Sequence, residues 1–569
     1  MENTANRICR CIVSLLEKHG VKRAIVSPGS RNAPLLIALS LSKSIVSDVV
    51  VDERSAGFIA LGYATVSEEP VALVCTSGSA LLNYGPAIAE AYYRKTPLIV
   101  ISADRPKEWI GQDDSQTIVQ YNALSNYVKK SYDLPAGQGD NDIWYANRVV
   151  NDALITAING KNGPVHVNVQ LAEPLGAMID DSIDADNAIF NRHIQMVKPF
   201  PQLAPLQSEQ LAECIASHKK VMIVAGFMPP NKELNTALNT LSNLPNIVVL
   251  TETIANISGN RIVGNVDAAL SSIKDDDTLE MIPDVVISTG GALVSRHIKQ
   301  FIRNHKVKEH WHVGEVEDTV DCFMQLTLRV EISPEVFFSQ LASSLLQFNT
   351  ESDYAQKWET IRNRAVSLTS SYAAKSTWSD FKAFATFIPL IPQRWNVQYS
   401  NGTAIRYAQI FGNHKYHRCD CNRGVSGIDG CTSTAIGAAL AYKPETTLLV
   451  TGDMSFKYDI SALLSTQIGP HFKIIVINNN GGGIFRFIAS TSNLDIREKM
   501  FCCPTETSYE ELFKAHGFAF FEANDEEELR SSFEKFASET SLPSALVVNT
   551  DGELSAQVLK DYFLYNKSN

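Results

Sequence analysis

Residues 446–487 constrain this chain more than any other stretch: TTLLVTGDMSFKYDISALLSTQIGPHFKIIVINNNGGGIFRF. The β-branched apolar run at 446–451 suits a buried parallel strand, closed by Gly452 and Asp453. The spacing of Ile460, Leu463 and Leu464 predicts a helix over 458–467. A second apolar run at 472–477 ends at Asn478, Asn479 and Asn480. In a right-handed strand–helix–strand unit both strands point the same way, so Asp453 and the asparagines reach one carboxyl edge. Open α/β sheets bind ligands in the crevice at that edge.

A carboxylate, a carboxamide and a glycine turn at one edge suit a hard cation such as Mg²⁺ (or Mn²⁺), which takes oxygen ligands and shares them with phosphates. Asp453 supplies charge, Asn479 a side-chain oxygen, and Gly481 a backbone carbonyl. The N–H groups of Gly452, Met454 and Ser455 are placed to meet a diphosphate oxygen. The plainer alternative is a strand end with ordinary turn residues. It accounts for GD alone, and poorly for GD followed by NNNGGG one helix and one strand later. The pair of motifs resembles the thiamine-diphosphate signature. The third position of that signature is usually Gly and is Met454 here, where only the backbone is used.

The 569 residues suffice for about three or four domains at roughly 150 residues each. A net charge of −12 argues against a nucleic-acid or anionic-membrane surface, so any basic site must be local. No apolar run is long enough to span a membrane. The first twenty residues lack a signal-peptide layout and read as an amphipathic helix. Ten cysteines without CxxC spacing read as free thiols in a reducing cytoplasm.

In order along the chain, residues 1–180 alternate helix with apolar runs at 24–26, 49–51, 71–76 and 98–102, the pattern of a parallel sheet. Prolines and polar residues mark a linker at 181–205. A second α/β block spans 206–345, with strands at 221–225, 247–250 and 285–288. Its Gly226, Gly290 and Gly291 form no full GxGxxG and read as structural. Helical, polar sequence fills 346–385, and a last α/β block runs over 386–569. The fold class expected is α/β, with three doubly wound domains.

Glu53 sits at a strand end in VDERSAG, just ahead of a helix. It suits the carboxyl that thiamine chemistry needs at N1′ of the pyrimidine; a helix-terminal Glu beside the dipole is the alternative. In NRGVSGIDG, glycines flank Ile428, which suits the bulky wedge under the cofactor, or simply a core position.

Taken together, the motifs SPGSRNAPL (27–35), VDERSAGFIALGYA (51–64), TSGSA (76–80), ISADRP (101–106), NRGVSGIDG (422–430), GDMSFKYD (452–459) and NNNGGGIF (478–485) resemble the MenD family of 2-succinyl-5-enolpyruvyl-6-hydroxy-3-cyclohexene-1-carboxylate synthases. The resemblance implies pyrimidine-binding, central and diphosphate-binding domains, with thiamine diphosphate and a divalent metal as cofactors. The implied reaction decarboxylates 2-oxoglutarate and adds the succinyl-semialdehyde carbanion equivalent to isochorismate, in menaquinone biosynthesis. Substrate carboxylates would be held by Arg31, Arg105, Arg406 and Arg423, and by Arg296 reaching in from the central block. Ser30 and Gln116 would hydrogen-bond substrate or intermediate. Gly482, Ile484 and Phe485 would line the cofactor. The family's GNS appears here as Asn401-Gly402-Thr403, so the seryl hydroxyl has moved or vanished. The site would form between subunits of a homodimer or tetramer. Two other readings stay open: an acetolactate-synthase-type enzyme, and a non-catalytic paralogue. The arginine set speaks against the first, and the presence of both Glu53 and Asp453 against the second.

Overall fold

The computed structural model describes residues 2–180, 192–315, 319–412, 417–465 and 467–569. Residues 181–191 of the expected linker lie outside the described residues. The chain builds three α/β domains, each around its own sheet. They are gathered in two compact units. One comprises Met1–Lys198, Gly424–Thr447 and Lys457–Phe472; the other comprises Pro199–Arg423, Leu448–Phe456 and Lys473–Asn569.

In the first unit six parallel strands lie in the order Val46–Val49, Arg23–Val26, Val71–Cys75, Leu98–Asp104, Val165–Gln170, Ser131–Leu134. The inner strands VALVC and LIVISAD are buried at every residue, as a sheet covered on both faces requires. The N-terminal helix, Arg7–Lys18, starts where the Asn6 side chain accepts from Cys9 N, and it buries Ile8, Ile12, Leu15 and Leu16. Helices Glu53–Ser67 and Cys431–Tyr442 pack with their backbones almost touching. A methyl on Gly62 would lie 1.9 Å from the Thr434 carbonyl oxygen, and one on Gly437 would lie 2.0 Å from that of Ile59. Only glycine permits that approach.

The second unit holds two sheets. One is parallel, in the order Ile247–Thr251, Val221–Ala225, Val285–Thr289, Glu309–Val313, Leu328–Val330. The expected strands at 221–225, 247–250 and 285–288 are all present in it. Gly226 and Gly291 tie strand ends together, through Gly226 N to Thr289 O and Gly291 N to Phe227 O. The other sheet has the order Arg418–Cys421, Asn396–Tyr399, Thr447–Gly452, Phe472–Asn478, Ser544–Asn549, Ala519–Ala523. Long helix Tyr354–Lys375 and helix Asp380–Phe387 pack aromatic side chains into the core, among them Trp358, Phe381 and Phe384.

Two local expectations are corrected. The strand expected at 49–51 is Val46–Val49, and Val51 is 76 % exposed. Asp52 must leave the strand to cap helix Glu53–Ser67, where its carboxylate accepts from Arg54 N at 3.0 Å. The helix expected over 458–467 is instead a short helix, Asp453–Tyr458, followed by a 3₁₀ turn, Ile460–Leu464. Leu463 is buried, whereas Leu464 is 75 % exposed. Between the two pieces the buried Asp459 carboxylate accepts from Ser433 N at 2.7 Å and Ser433 Oγ at 2.9 Å, which breaks the helical register.

Candidate active site

The carboxyl edge of the C-terminal sheet brings together the residues that sequence assigned to a metal and a diphosphate. Asp453 is 2 % exposed, its Oδ1 accepting from Met454 N at 2.7 Å and its Oδ2 from Gly481 N at 2.8 Å. Two backbone donors thus fix the orientation of this carboxylate. Asn479 is 4 % exposed and donates from Nδ2 to Asp380 Oδ2 at 2.7 Å, which turns its carbonyl end the other way. That Oδ1 is buried and has no hydrogen-bond partner among the described residues. A buried amide oxygen left unpaired is costly, and a cation is the kind of ligand that would satisfy it. Gly481 has φ +121°, and its carbonyl accepts from Gly483 N at 2.9 Å, leaving one lone pair. A carboxylate, an orphaned amide oxygen and a spare carbonyl lone pair form an oxygen donor set that fits a divalent cation.

Around this edge Gly452 N donates to Ser400 Oγ at 3.4 Å. Ser400 places a buried hydroxyl three residues before the site where the NGT sequence carries Thr403. Met454 lies over Gly482, its Cε 3.2 Å from where a Gly482 methyl would stand, and Ser455 is buried beside it. Ile484 and Phe485 are half-buried on the short helix Gly483–Phe487, and the Phe485 ring lies 5.6 Å from that of Phe501. Sequence reading missed Asp380. Burial pushes its carboxyl up, and the Asp453 charge adds to that; Thr550 and Asn479 hold it by hydrogen bonds. Its only local sign was the Ser379 cap preceding it.

In the other unit Glu53 is the first residue of helix Glu53–Ser67 and is half-buried. Buried Cys75 and Tyr84 face it. Burial raises both groups well above their ordinary values, and the Glu53 charge contributes to each. The loop carrying Ile428 is pinned by Glu90, a 2 %-exposed carboxylate that accepts from Gly424 N at 2.7 Å and Val425 N at 2.6 Å. Ile428 is half-buried there.

The same unit places Arg31 and Arg105 close enough that Arg105 depresses the Arg31 guanidinium, after burial as the larger cause. Arg31 donates to Leu171 O at 3.0 Å and pairs with Glu173 at 3.3 Å. Arg105 donates to Ser115 O at 3.1 Å and pairs with Asp114 at 2.8 Å. Gln116, exposed and at φ 57°, donates to Ser77 O at 3.2 Å. Ser30 is exposed at the preceding turn. Behind this group lies a buried network absent from the sequence reading. Gln120 accepts from Gly78 N and donates to Ala103 O and Asn168 Oδ1, and Asn168 donates to Asp104 and Asp133.

The second unit gathers the remaining arginines. Burial lowers the Arg406 pKa, and Arg296 and Arg423 add to the effect, so three cations share one region. Arg423 donates to Asn401 Oδ1 at 2.9 Å and Leu293 O at 3.4 Å, while its Nε is buried without a partner among the described residues. The Asn401 of the altered NGT sequence therefore serves to orient Arg423. Arg296 is exposed at the start of helix Arg296–Arg303.

Comparison with known proteins accounts for this arrangement. Residues 7–124 match the thiamine pyrophosphate enzyme N-terminal TPP binding domain, 193–382 the middle domain of thiamine pyrophosphate enzymes, and 400–548 the C-terminal TPP binding domain. Thiamine pyrophosphate is the thiamine diphosphate of the motif reading. A 2-succinyl-5-enolpyruvyl-6-hydroxy-3-cyclohexene-1-carboxylate synthase of Porphyromonas gingivalis is 38 % identical over 562 residues, covering 97 % of this chain and 96 % of its own. The synthase of the same name from Flavobacterium psychrophilum is 37 % identical, covering 98 % of each chain, and that of Bacteroides thetaiotaomicron 35 %, covering 97 % of each. With this identity held across three matched domains, the chain belongs to the 2-succinyl-5-enolpyruvyl-6-hydroxy-3-cyclohexene-1-carboxylate synthase family of thiamine-diphosphate enzymes.

Proposed function

We propose that this chain decarboxylates 2-oxoglutarate and joins the remaining four-carbon unit to isochorismate, forming 2-succinyl-5-enolpyruvyl-6-hydroxy-3-cyclohexene-1-carboxylate for menaquinone biosynthesis in the cytoplasm. The observation that carries it is the orphaned Asn479 Oδ1 beside the doubly held Asp453, in a chain that also gathers two groups of arginines. Asp453, Asn479 and the Gly481 carbonyl hold Mg²⁺ or Mn²⁺. Gly452, Met454 and Ser455 line the diphosphate subsite, the Met454 N–H being spent on Asp453, and Gly482, Ile484 and Phe485 shape the wall beside it. Ile428 stands as the wedge. Thiamine diphosphate, when bound, supplies the carbanion chemistry. Glu53 holds the proton at N1′ of the aminopyrimidine. Arg31, Arg105, Arg296, Arg406 and Arg423 bind and orient substrate carboxylates, as bidentate guanidinium groups do best in partly dry sites. Ser30 and Gln116 add neutral hydrogen bonds.

Glu53 and Asp453 serve one site from different subunits, so the working protein is a homodimer or a tetramer built as a dimer of dimers. The deciding experiment is CO₂ release from 2-oxoglutarate by the purified protein with Mg²⁺ and thiamine diphosphate, with and without isochorismate, product mass being read in parallel. An adduct carrying the succinyl unit is expected. Turnover of pyruvate instead would assign the chain to acetolactate-type chemistry.

A further inference from the structure

Glu252, at the carboxyl end of strand Ile247–Thr251, has no part in the reading above and is fully buried. Its two oxygens accept from Val294 N at 2.8 Å and Ser295 N at 2.6 Å. The turn it grips presents the Leu293 carbonyl to both Lys299 Nζ, at 2.8 Å, and Arg423 Nη2. Arg296 follows this turn as the first residue of helix Arg296–Arg303, which Ser295 caps. The neighbouring Thr253 is tied to the helix that carries Arg406, through its N to Gln409 Oε1 and its Oγ1 to Ala408 O, both at 3.0 Å. One strand end thus links the three segments that bear Arg296, Arg406 and Arg423.

The titratable and charged groups around Glu252 come from every packed element. Lys299, Arg296 and His297 stand on one helix, Arg406 on another, and Arg423 on the loop after strand Arg418–Cys421. Asp267, on helix Val266–Ser271, pairs with His297 at 3.2 Å and accepts from Ser295 Oγ. Glu252 is therefore an enclosed anion among several cations, with one acidic neighbour.

We propose that Glu252 is a proton-coupled counterion: when an anionic substrate group docks against Arg406 and Arg423, Glu252 takes up a proton from solvent. This rests on the reading of these arginines as a substrate-carboxylate site. The physical reason is linkage. New negative charge beside a buried carboxylate raises its proton affinity, and the arginines no longer need it for neutrality. Burial already pushes the carboxyl up to about 7, with Asp267 adding to it and the two backbone donors and Arg423 opposing. The ligand raises that value further. Affinity is therefore highest below about pH 7 and is lost as pH rises through the free and then the bound pKa. The ligand's own carboxylates, with ordinary values of about 4, take no part.

The test is calorimetric titration of isochorismate into the holoenzyme, without 2-oxoglutarate, in two buffers of different ionisation heat. Wild type and His297→Gln are expected to take up part of a proton near pH 7.5, and Glu252→Gln none. The wild-type dissociation constant is expected to rise about tenfold from pH 6 to pH 9. No uptake in wild type, equal uptake in Glu252→Gln, or loss of uptake in His297→Gln overturns the proposal. Should Glu252→Gln fail to fold, a flat wild-type pH series overturns it alone. Unchanged isochorismate affinity in both Arg406→Ala and Arg423→Ala is a separate result, which removes the substrate site itself.

Discussion

At the scale of single residues, the site depends on where each carboxylate sits and what already holds it. Among the described residues Glu53 makes no ion pair that would explain it structurally, and it heads a helix beside two buried, proton-retaining groups. Glu53→Gln is expected to leave the thermal midpoint within a degree or two of wild type while turnover falls about 10²-fold or more. CO₂ release measures it; wild-type turnover in the variant would remove Glu53 from the chemistry. Asp453→Ala and Asn479→Ala are expected to weaken Mg²⁺-dependent cofactor binding at least tenfold, read by quenching of intrinsic fluorescence. Unaltered affinity in either would place the cation elsewhere. The meeting of Asp453, Asn479 and Gly481 at one sheet edge was legible because they follow apolar runs, where a polar residue needs a reason. Asp380, which orients Asn479 from far upstream in the chain, carried no such mark.

At the scale of elements, apolar runs identified most strands, because strands buried on both faces can hardly be anything else. Periodicity failed at 458–467, where a long-range bond from Ser433 to Asp459 outweighed local helical preference. The crossing of helices Glu53–Ser67 and Cys431–Tyr442 shows the same limit, since nothing local to Gly62 or Gly437 announces the other helix. A methyl at either position must push two backbones apart. Gly437→Ala is expected to destabilise the protein by about 1–3 kcal/mol through overpacking, seen as a lower thermal midpoint. Because Glu53 heads one of these helices, some loss of activity is expected to accompany it. An unchanged midpoint would mean that the crossing is looser than its geometry.

At the scale of the whole molecule, the separation of Glu53 and Asp453 into different compact units motivates a mixing experiment. Neither Glu53→Gln nor Asp453→Ala is expected to turn over alone. Dissociated together and reassembled, they are expected to recover about a quarter of wild-type activity. The reasoning is that half the dimers are mixed, and one site in each mixed dimer receives both intact residues, as closed two-fold symmetry dictates. No recovery, with reassembly shown by sedimentation, would argue that each subunit completes its own site.

Across these scales, sequence alone determined the α/β class, the strand ends where chemistry collects, and the residue types suited to a cation, a diphosphate and several carboxylates. Each of those follows from local patterns: unbroken apolar runs, glycine turns, and polar residues at the edge of a sheet. The tertiary structure alone decided which groups hold those residues in place. Asp380 behind Asn479, Glu90 beneath the Ile428 loop, Gln120 beneath the Gly78 turn and Glu252 among the arginines are all distant in sequence from what they support. A buried polar side chain finds its partners through packing, and packing brings together residues that no local pattern connects.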